Sequence, residues 1–260
     1  MNNCQKIPKI IHYFWFGNGE QDRATKKYIK GWKKVCPDYE IRLWNESNFD
    51  VTANRFTREA YENKRWAFVS DYARLKVLYE YGGIQLDTDV EVLKKFDDFL
   101  GYEGFIGFET DSKVNDGQAF GVMPHHPVIK EMMELYENLN FANEDGSFHM
   151  ILSPEARTEI LLKHGLKLNG KRQNIAGIEV FPADYFCPMD FFTRKIRVTD
   201  NTYSIHHFAA SWHSDSEKTA FRRIHFFCGL YGKEKGLDAY HKYLRFRKRI
   251  RKLLGIEKRS

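Results

Sequence analysis

The stretch YEYGGIQLDTDVEVLKKF, residues 79–96, contains two glycines, a short apolar run and two closely spaced acids. Two glycines, Gly82 and Gly83, precede a short apolar run, and two acids, Asp87 and Asp89, follow it directly. Successive side chains of a strand point to opposite faces, so Asp87 and Asp89 project the same way if the chain stays extended. In an open α/β sheet, ligands bind outside the carboxyl ends of the strands. The stretch therefore predicts a buried strand with a polar site at its end.

The acid pair has two interpretations, a metal site and a polar turn between two strands. Carboxylate oxygens at this spacing suit Mg²⁺ or Mn²⁺, which keep some of their waters and take phosphate oxygens as further ligands. A cation held in this way neutralises the charge of a departing diphosphate. The pattern D-x-D also occurs by chance in turns. A second apolar run with Val90 and Val92 follows at once and leaves little room for a solvated loop, which favours the metal site.

The segments on either side of this stretch predict an α/β fold. Residues 9–17, KIIHYFWFG, are β-branched and aromatic and predict a first strand. A helix is predicted over residues 22–36, ending before Pro37, and YEIRLWN predicts a second strand. A strand, a helix and a strand in this order favour a parallel sheet with helices packed on it.

Residues 66–81 predict the clearest helix of the chain. Phe68, Tyr72 and Leu75 recur at helical spacing and form an apolar face, and Gly82 supplies a left-handed cap. Asp71 and Arg74 share another face, three residues apart. They form either an exposed ion pair of little energetic value, or a functional pair in which Arg74 faces a phosphate or sugar and Asp71 faces a hydroxyl.

Charge is distributed unevenly along the 260 residues, whose formal net charge is +6. Residues 241–260 contain nine basic residues and one acidic residue, a net charge of +8, which leaves −2 for the other 240. A nucleic-acid-binding protein would carry basic residues across its body, so this distribution counts against nucleic acid as a partner. Four scattered cysteines suggest neither a zinc ribbon nor a disulfide framework. The sequence shows no signal-peptide pattern and no apolar stretch of membrane-spanning length.

The basic tail predicts an amphipathic helix, with Tyr243, Phe246, Ile250 and Leu253 on one stripe and basic residues around most of the rest. A helix of this kind binds an anionic membrane surface. The alternatives are a helix packed on the body with a solvated basic face, and a nucleic-acid-binding helix. We therefore predict a catalytic domain over residues 1–236 and a basic amphipathic tail over residues 237–260.

Three segments carry a resemblance to glycosyltransferase family 32, the group with a DXD sugar-binding region. They are residues 7–17 (IPKIIHYFWFG), residues 70–100 (SDYARLKVLYEYGGIQLDTDVEVLKKFDDFL) and residues 205–212 (IHHFAASW). Gln85 stands where the family often has tyrosine. The resemblance implies a GT-A fold, which is a Rossmann-like mixed sheet flanked by helices. It also implies a divalent metal, a nucleotide-sugar donor (a UDP- or GDP-sugar) and retention of the anomeric configuration.

The resemblance also implies roles for single residues. Trp15 would stack on the nucleotide base, with Phe14 and Phe16 lining its pocket, although a tryptophan at a strand end could equally belong to the core. Asp71 and Arg74 would hold the donor sugar and phosphate. Asp87 would contact ribose or the donor sugar, and Asp89 would be the principal metal ligand. The predicted catalytic residues are therefore Arg74, Asp87 and Asp89.

Five further residues complete the predicted site. His206 and His207 follow a predicted strand, and imidazole suits Mn²⁺ as an additional ligand. The resemblance favours His206, but the strand register leaves His207 open. Asn115 and Asp116 precede Gly117 and form either an ordinary turn or a contact with the donor sugar or acceptor. Trp212 is assigned to the donor site.

The leading prediction is a metal-dependent, retaining glycosyltransferase of the kind that builds capsular polysaccharide. We expect a front-face reaction in which the metal and Arg74 stabilise the departing diphosphate. The acceptor would be a glycan or a lipid-linked glycan, and the protein would be cytoplasmic, peripheral on the inner face of the plasma membrane. The alternatives are a nucleotidyl- or phosphotransferase that uses the same carboxylates, and a non-enzymatic, basic-tailed adaptor.

Overall fold

The computed structural model describes residues 5–143, 145–209 and 215–253. The first half of the chain alternates strands and helices: β1 (Ile10–Phe14), α1 (Arg23–Val35), β2 (Glu40–Trp44), α2 (Arg55–Glu62), α3 (Trp66–Tyr81), β3 (Gly83–Gln85) and β4 (Val90–Val92). The middle contains a 3₁₀ turn (Asp97–Phe99), β5 (Gly104–Thr110), β6 (Lys113–Asn115), β7 (Phe120–Val122), α4 (Pro127–Glu137) and α5 (Ser153–Lys163). The remainder contains β8 (Gln173–Ile175), β9 (Ile178–Phe181), α6 (Ala183–Phe186), β10 (Ser204–His206), α7 (Asp215–Tyr231) and α8 (Lys233–Leu253).

The central sheet is mixed, in the order β2-β1-β3-β7-β5-β9-β8, with β6 paired to β5. Strand β1 runs parallel to both β2 and β3, whereas β7 is antiparallel to β3 and to β5. The parallel arrangement of β1 and β3 brings their carboxyl ends to the same edge of the sheet. Strand β4, which directly follows the acid pair in the chain, forms a separate antiparallel pair with β10. The predicted α/β class with a mixed sheet is confirmed.

Helix α3 occupies residues 66–81, as predicted, but it is buried on more than one face. Phe68, Tyr72 and Leu75 lie in the core, and Asp71 and Arg74 are also buried, with 8% and 6% exposed. The helix contacts β1, β3 and β7 on the sheet as well as α2 and α4. The exposed ion pair considered for Asp71 and Arg74 is therefore wrong, because Asp87, Asp116 and Arg157 from other segments of the chain contact these two residues.

The two glycines after α3 let β3 approach β1 closely. Gly82 has a φ of +62°, as a cap with positive φ requires, although its ψ of −155° lies outside the left-handed helical region. Gly83 has a φ of +94°, and a Cβ atom there would lie 2.8 Å from Nε2 of His12. His12 in turn contacts the Gly82 carbonyl oxygen at 2.9 Å. Glycine at both positions is thus required by backbone conformation and by close packing.

The chain divides into two compact units, residues 1–188 with 198–207, and residues 189–197 with 208–260. In the second unit α8 packs on α7, where a Cβ atom on Gly236 would lie 2.4 Å from the Cα atom of Cys228. Residue 236, the predicted domain boundary, therefore lies inside a helix–helix contact, and the predicted boundary itself stays a prediction. Among the described residues, none of the helices combines the length and the apolar composition needed to cross a membrane.

Candidate functional site

The acid pair and a histidine meet beyond the end of β3. Ligand atoms of Asp87, Asp89 and His206 all lie within 4.8 Å of one another, with the carboxylates half-buried and the imidazole buried. His206 Nε2 is 3.2 Å from Asp89 Oδ1. The register of the β4–β10 pair produces this contact, because it sets His206 opposite Val90, the residue after Asp89. Burial lowers the pKa of His206, but the Asp89 carboxylate outweighs it, so the net shift is upward.

His207 lies with different partners. Its backbone N–H donates to the Asp89 carbonyl oxygen at 3.0 Å. Nε2 of His207 is 2.9 Å from Glu91 Oε2, and its ring stacks on Tyr28 at a centroid distance of 5.0 Å. The structure therefore brings His206, and not His207, to the two carboxylates.

Arg74 is the cation at the centre of the site. Its Nη2 atom lies 3.1 Å from Asp87 Oδ1 and 3.4 Å from Asp71 Oδ1, and its Nη1 atom lies 3.5 Å from Asp116 Oδ1. Burial lowers the pKa of Arg74, but the surrounding carboxylates outweigh it and raise it above its usual value. Burial also raises the pKa of Asp71 to about 7, although Arg74 opposes this shift. Arg74 thus stays charged and links the predicted helix pair to the D-x-D segment.

The predicted turn at Asn115 and Asp116 joins β6 to the chain leading into β7 and packs against Asp87. The backbone N–H of Asp87 donates to the Gly117 carbonyl oxygen at 2.8 Å, and a Cβ atom on Gly117 would lie 2.2 Å from Asp87 Oδ2. Asn115 Nδ2 donates to Glu109 Oε2 at 2.7 Å. Glycine at 117 is therefore needed for close packing, and the predicted donor contact of Asn115 stays a prediction.

Asp116 is fully buried and is held by two residues that our sequence reasoning missed. Arg157 Nε donates to Asp116 Oδ2 at 2.8 Å, and Ser153 Oγ donates to Oδ1 at 2.6 Å. Burial raises the pKa of Asp116, but Arg157 and Arg74 outweigh it, so the pKa falls below the usual value. One signal was available, since Arg157 lies on the same helical face as the apolar residues Ile160 and Leu161. The structure gives Asp116 internal partners, and its predicted contact with a donor stays a prediction.

An aromatic cleft opens at the carboxyl end of β1. It has a volume of about 460 Å³ and is lined by Tyr13, Trp15, Asn18, Gly19, Glu20, Gln21, Lys26, Leu43, Asn45 and Glu46. Trp15 Nε1 donates to the Gly19 carbonyl oxygen at 2.7 Å, which fixes the indole at the cleft. Phe14 and Phe16 are buried in the core, 8% and 5% exposed, and do not line this cleft. Trp212 lies outside the described residues.

Comparison with known sequences confirms the family resemblance. Residues 22–106 match the family described as the glycosyltransferase sugar-binding region containing a DXD motif. Inositol phosphoceramide mannosyltransferase 3 of Schizosaccharomyces pombe is 29% identical over 140 residues, which is 51% of this chain and 38% of that protein. Human alpha-1,4-N-acetylglucosaminyltransferase is 34% identical over 113 residues, 42% of this chain and 28% of that protein. The chain thus spans well under half the length of these two relatives.

A solved structure supports the predicted fold type. The structure named PaToxG glycosyltransferase aligns with a TM-score of 0.50 and 19% identity, covering 61% of this chain and 70% of that one. At this identity the likeness concerns the fold alone, and it confirms the predicted GT-A type of mixed α/β sheet. The names of the relatives agree with the predicted enzyme class.

Proposed function

We propose that this protein is a metal-dependent glycosyltransferase that moves a sugar from a nucleotide-sugar donor to a glycan acceptor. The observation that carries the proposal is the Asp87–Asp89–His206 cluster beyond β3, at the same sheet edge as the Trp15 cleft beyond β1. A nucleotide bound across this edge would have its base at the aromatic cleft and its phosphates toward the carboxylates, the usual place for a ligand of an open α/β sheet.

The residues of the cluster fit a divalent cation. Two carboxylates and an imidazole suit Mn²⁺ well, and the carboxylates alone would also suit Mg²⁺. Asp71, Asp87 and Asp116 lie against Arg74, Asp116 also lies against Arg157, and Asp89 lies against His206. With His206 neutral, as a metal ligand must be, the four carboxylates exceed the two guanidinium groups by two negative charges, or by one if Asp71 is protonated. A bound dication would balance this charge and stabilise a departing diphosphate.

Arg74 supplies the fixed positive charge of the proposed reaction. Its guanidinium group lies 3.1 Å from Asp87, and the surrounding carboxylates raise its pKa above the usual value, so it stays protonated. We propose a front-face reaction with retention of configuration, in which Arg74 stabilises negative charge that develops on the diphosphate. A group already oriented by three carboxylates needs little rearrangement as that charge appears.

We further propose a lipid-linked acceptor and a cytoplasmic protein peripheral on the inner face of the plasma membrane, as in capsular polysaccharide synthesis. Helix α8 contains nine basic and two acidic residues, and it exposes Phe246 and Ile250. Tyr243, which the sequence grouped with these residues, instead contacts Phe227 of α7 at a centroid distance of 5.7 Å. The proposed membrane-binding face is therefore narrower than the sequence stripe. The name inositol phosphoceramide mannosyltransferase indicates a lipid substrate for that relative and supports this proposal.

A donor panel tests the central proposal. The purified protein is incubated with UDP- and GDP-sugars and Mn²⁺, and the release of nucleoside diphosphate is measured. Asp89→Asn should abolish release without unfolding the protein, whereas Asp200→Asn, an exposed acid outside the site, should leave it unchanged. Release of pyrophosphate would indicate a nucleotidyltransferase instead. Undiminished release by Asp89→Asn, or by the parent protein in excess EDTA, would contradict metal dependence.

A further inference from the structure

The three carboxylates around Arg74 compete for one guanidinium group. Asp87 is the nearest, at 3.1 Å from Nη2, and Asp116 approaches the other terminal nitrogen at 3.5 Å. Arg74 Nε lies 3.3 Å from the backbone carbonyl oxygen of Ser70, so this contact leaves the terminal nitrogens to the carboxylates. The orientation of Arg74 therefore depends on how strongly each carboxylate is satisfied by other partners.

Two side chains of α5 donate hydrogen bonds to the carboxylate of Asp116. Arg157 and Ser153 donate to its two carboxylate oxygens at 2.8 and 2.6 Å, both shorter than the 3.5 Å approach of Arg74. Arg157 is itself fully buried and is fixed by two further bonds, to the Tyr136 hydroxyl at 3.2 Å and to the Asp71 carbonyl oxygen at 3.0 Å. A buried, charge-assisted pair of this kind is strong because no water competes for it.

We propose that Arg157 and Ser153 are positioning residues that keep Arg74 directed at Asp87 by neutralising Asp116. Without Arg157, the buried Asp116 carboxylate would have Arg74 as its nearest remaining cation, and a buried carboxylate without a charged partner is costly. Arg74 would then move toward Asp116 and away from Asp87. This inference rests on the proposed function for its catalytic meaning, but the movement of Arg74 can be measured without any substrate.

The movement of Arg74 would affect the binding of nucleoside diphosphate and of Mn²⁺ differently, whereas a general loosening of the site would not. Arg74 would leave the place where the proposed diphosphate lies, so nucleoside diphosphate would bind more weakly. Asp87 would lose its cation, so Mn²⁺ alone would bind as tightly as before or more tightly, since like charges repel. A structural defect that loosened the whole site would weaken both ligands.

The test uses variants of the full chain. Arg157→Met removes the cation that neutralises Asp116. Ser153→Ala removes the donor to Asp116 Oδ1, the oxygen that Arg74 approaches. This second change is milder and serves as the test if Arg157→Met does not fold. Adding Asp116→Asn to Arg157→Met removes the competing charge and should return Arg74 to Asp87. Glu159→Gln, at an exposed position of the same helix, is the control. The guanidinium resonances of Arg74 are followed by NMR in arginine-labelled protein, with calorimetric affinities for Mn²⁺ alone and for UDP or GDP at saturating Mn²⁺.

In Arg157→Met we expect the Arg74 resonances to shift, and affinity for the nucleoside diphosphate to fall about tenfold, without a loss of Mn²⁺ affinity. The shift should be smaller in Ser153→Ala and reversed in the double variant. Unchanged Arg74 resonances in folded Arg157→Met and Ser153→Ala would overturn the inference, as would equal weakening of Mn²⁺ and nucleotide. If Arg74 moves as expected but the parent protein binds neither UDP nor GDP, the positioning role stands and the proposed function fails.

Discussion

Stability should depend on the neutral state of His12, a histidine that is fully buried between β2 and the cap of α3. Trp44 Nε1 lies 3.0 Å from its Nδ1 atom, and because an indole N–H can only donate, Nδ1 must accept. Nε2 therefore carries the proton and donates to the Gly82 carbonyl oxygen at 2.9 Å. A second proton on Nδ1 would place two N–H donors, that of His12 and that of Trp44, against each other, so protonation of the ring is unfavourable in the folded protein.

The magnitude follows from the shift in the pKa of His12. Burial lowers this pKa from 6.5 to about 4, with the Gly82 bond opposing the shift. In the unfolded chain His12 takes up a proton as the pH falls through 6.5, whereas in the folded protein it stays neutral until the pH approaches about 4. The stabilisation is thus fully present above pH 6.5 and is lost as the pH falls toward 4. Linkage gives a loss of ~2 kcal/mol at pH 5 and ~3 kcal/mol at pH 4.

Urea unfolding between pH 7.5 and 4.5 measures this loss. His12→Gln keeps an amide N–H for the Gly82 oxygen but does not titrate, so its free energy of unfolding should fall less with acid than that of the parent protein. Both proteins contain the same carboxylates, so the difference between their curves of unfolding free energy against pH gives the contribution of His12 alone. His241→Gln, at an exposed position, should follow the parent curve. Parallel curves for His12→Gln and the parent protein would refute the reasoning.

Three further predictions concern the site and the tail. Trp15→Ala should weaken nucleoside diphosphate binding by about tenfold, ~1.4 kcal/mol of stacking; unchanged calorimetric affinity would assign Trp15 a purely structural role. His206→Ala should weaken Mn²⁺ binding in an EPR titration far more than His207→Ala, since only His206 faces the acid pair; equal losses would contradict the assignment. A protein ending at Gly236 should no longer sediment with anionic vesicles while still hydrolysing donor; equal sedimentation of the full chain and the truncated protein would remove the membrane proposal.

Local signals in the sequence were sufficient for the elements that form the centre of the fold. Helix α3 and strands β3 and β4 lie where the apolar spacing and the glycine pair predict them, because each signal spans only neighbouring residues. The acid pair and its place after a strand follow from the same stretch. The sequence also limited the histidine ligand to two adjacent candidates.

Contacts between distant segments decided the rest. The choice of His206 over His207 depends on the register between β4 and β10, which are more than 100 residues apart in the chain. The burial of Asp71 and Arg74 depends on the segments that carry Asp87, Asp116 and Arg157, which contact a face of α3 that looks polar in the sequence. Asp116 reads as a turn residue, and only the docking of α5 pairs it with Arg157. Side-chain periodicity specifies which face of an element is apolar, but the partners of a buried charge are set by packing, which brings together residues that no local pattern connects.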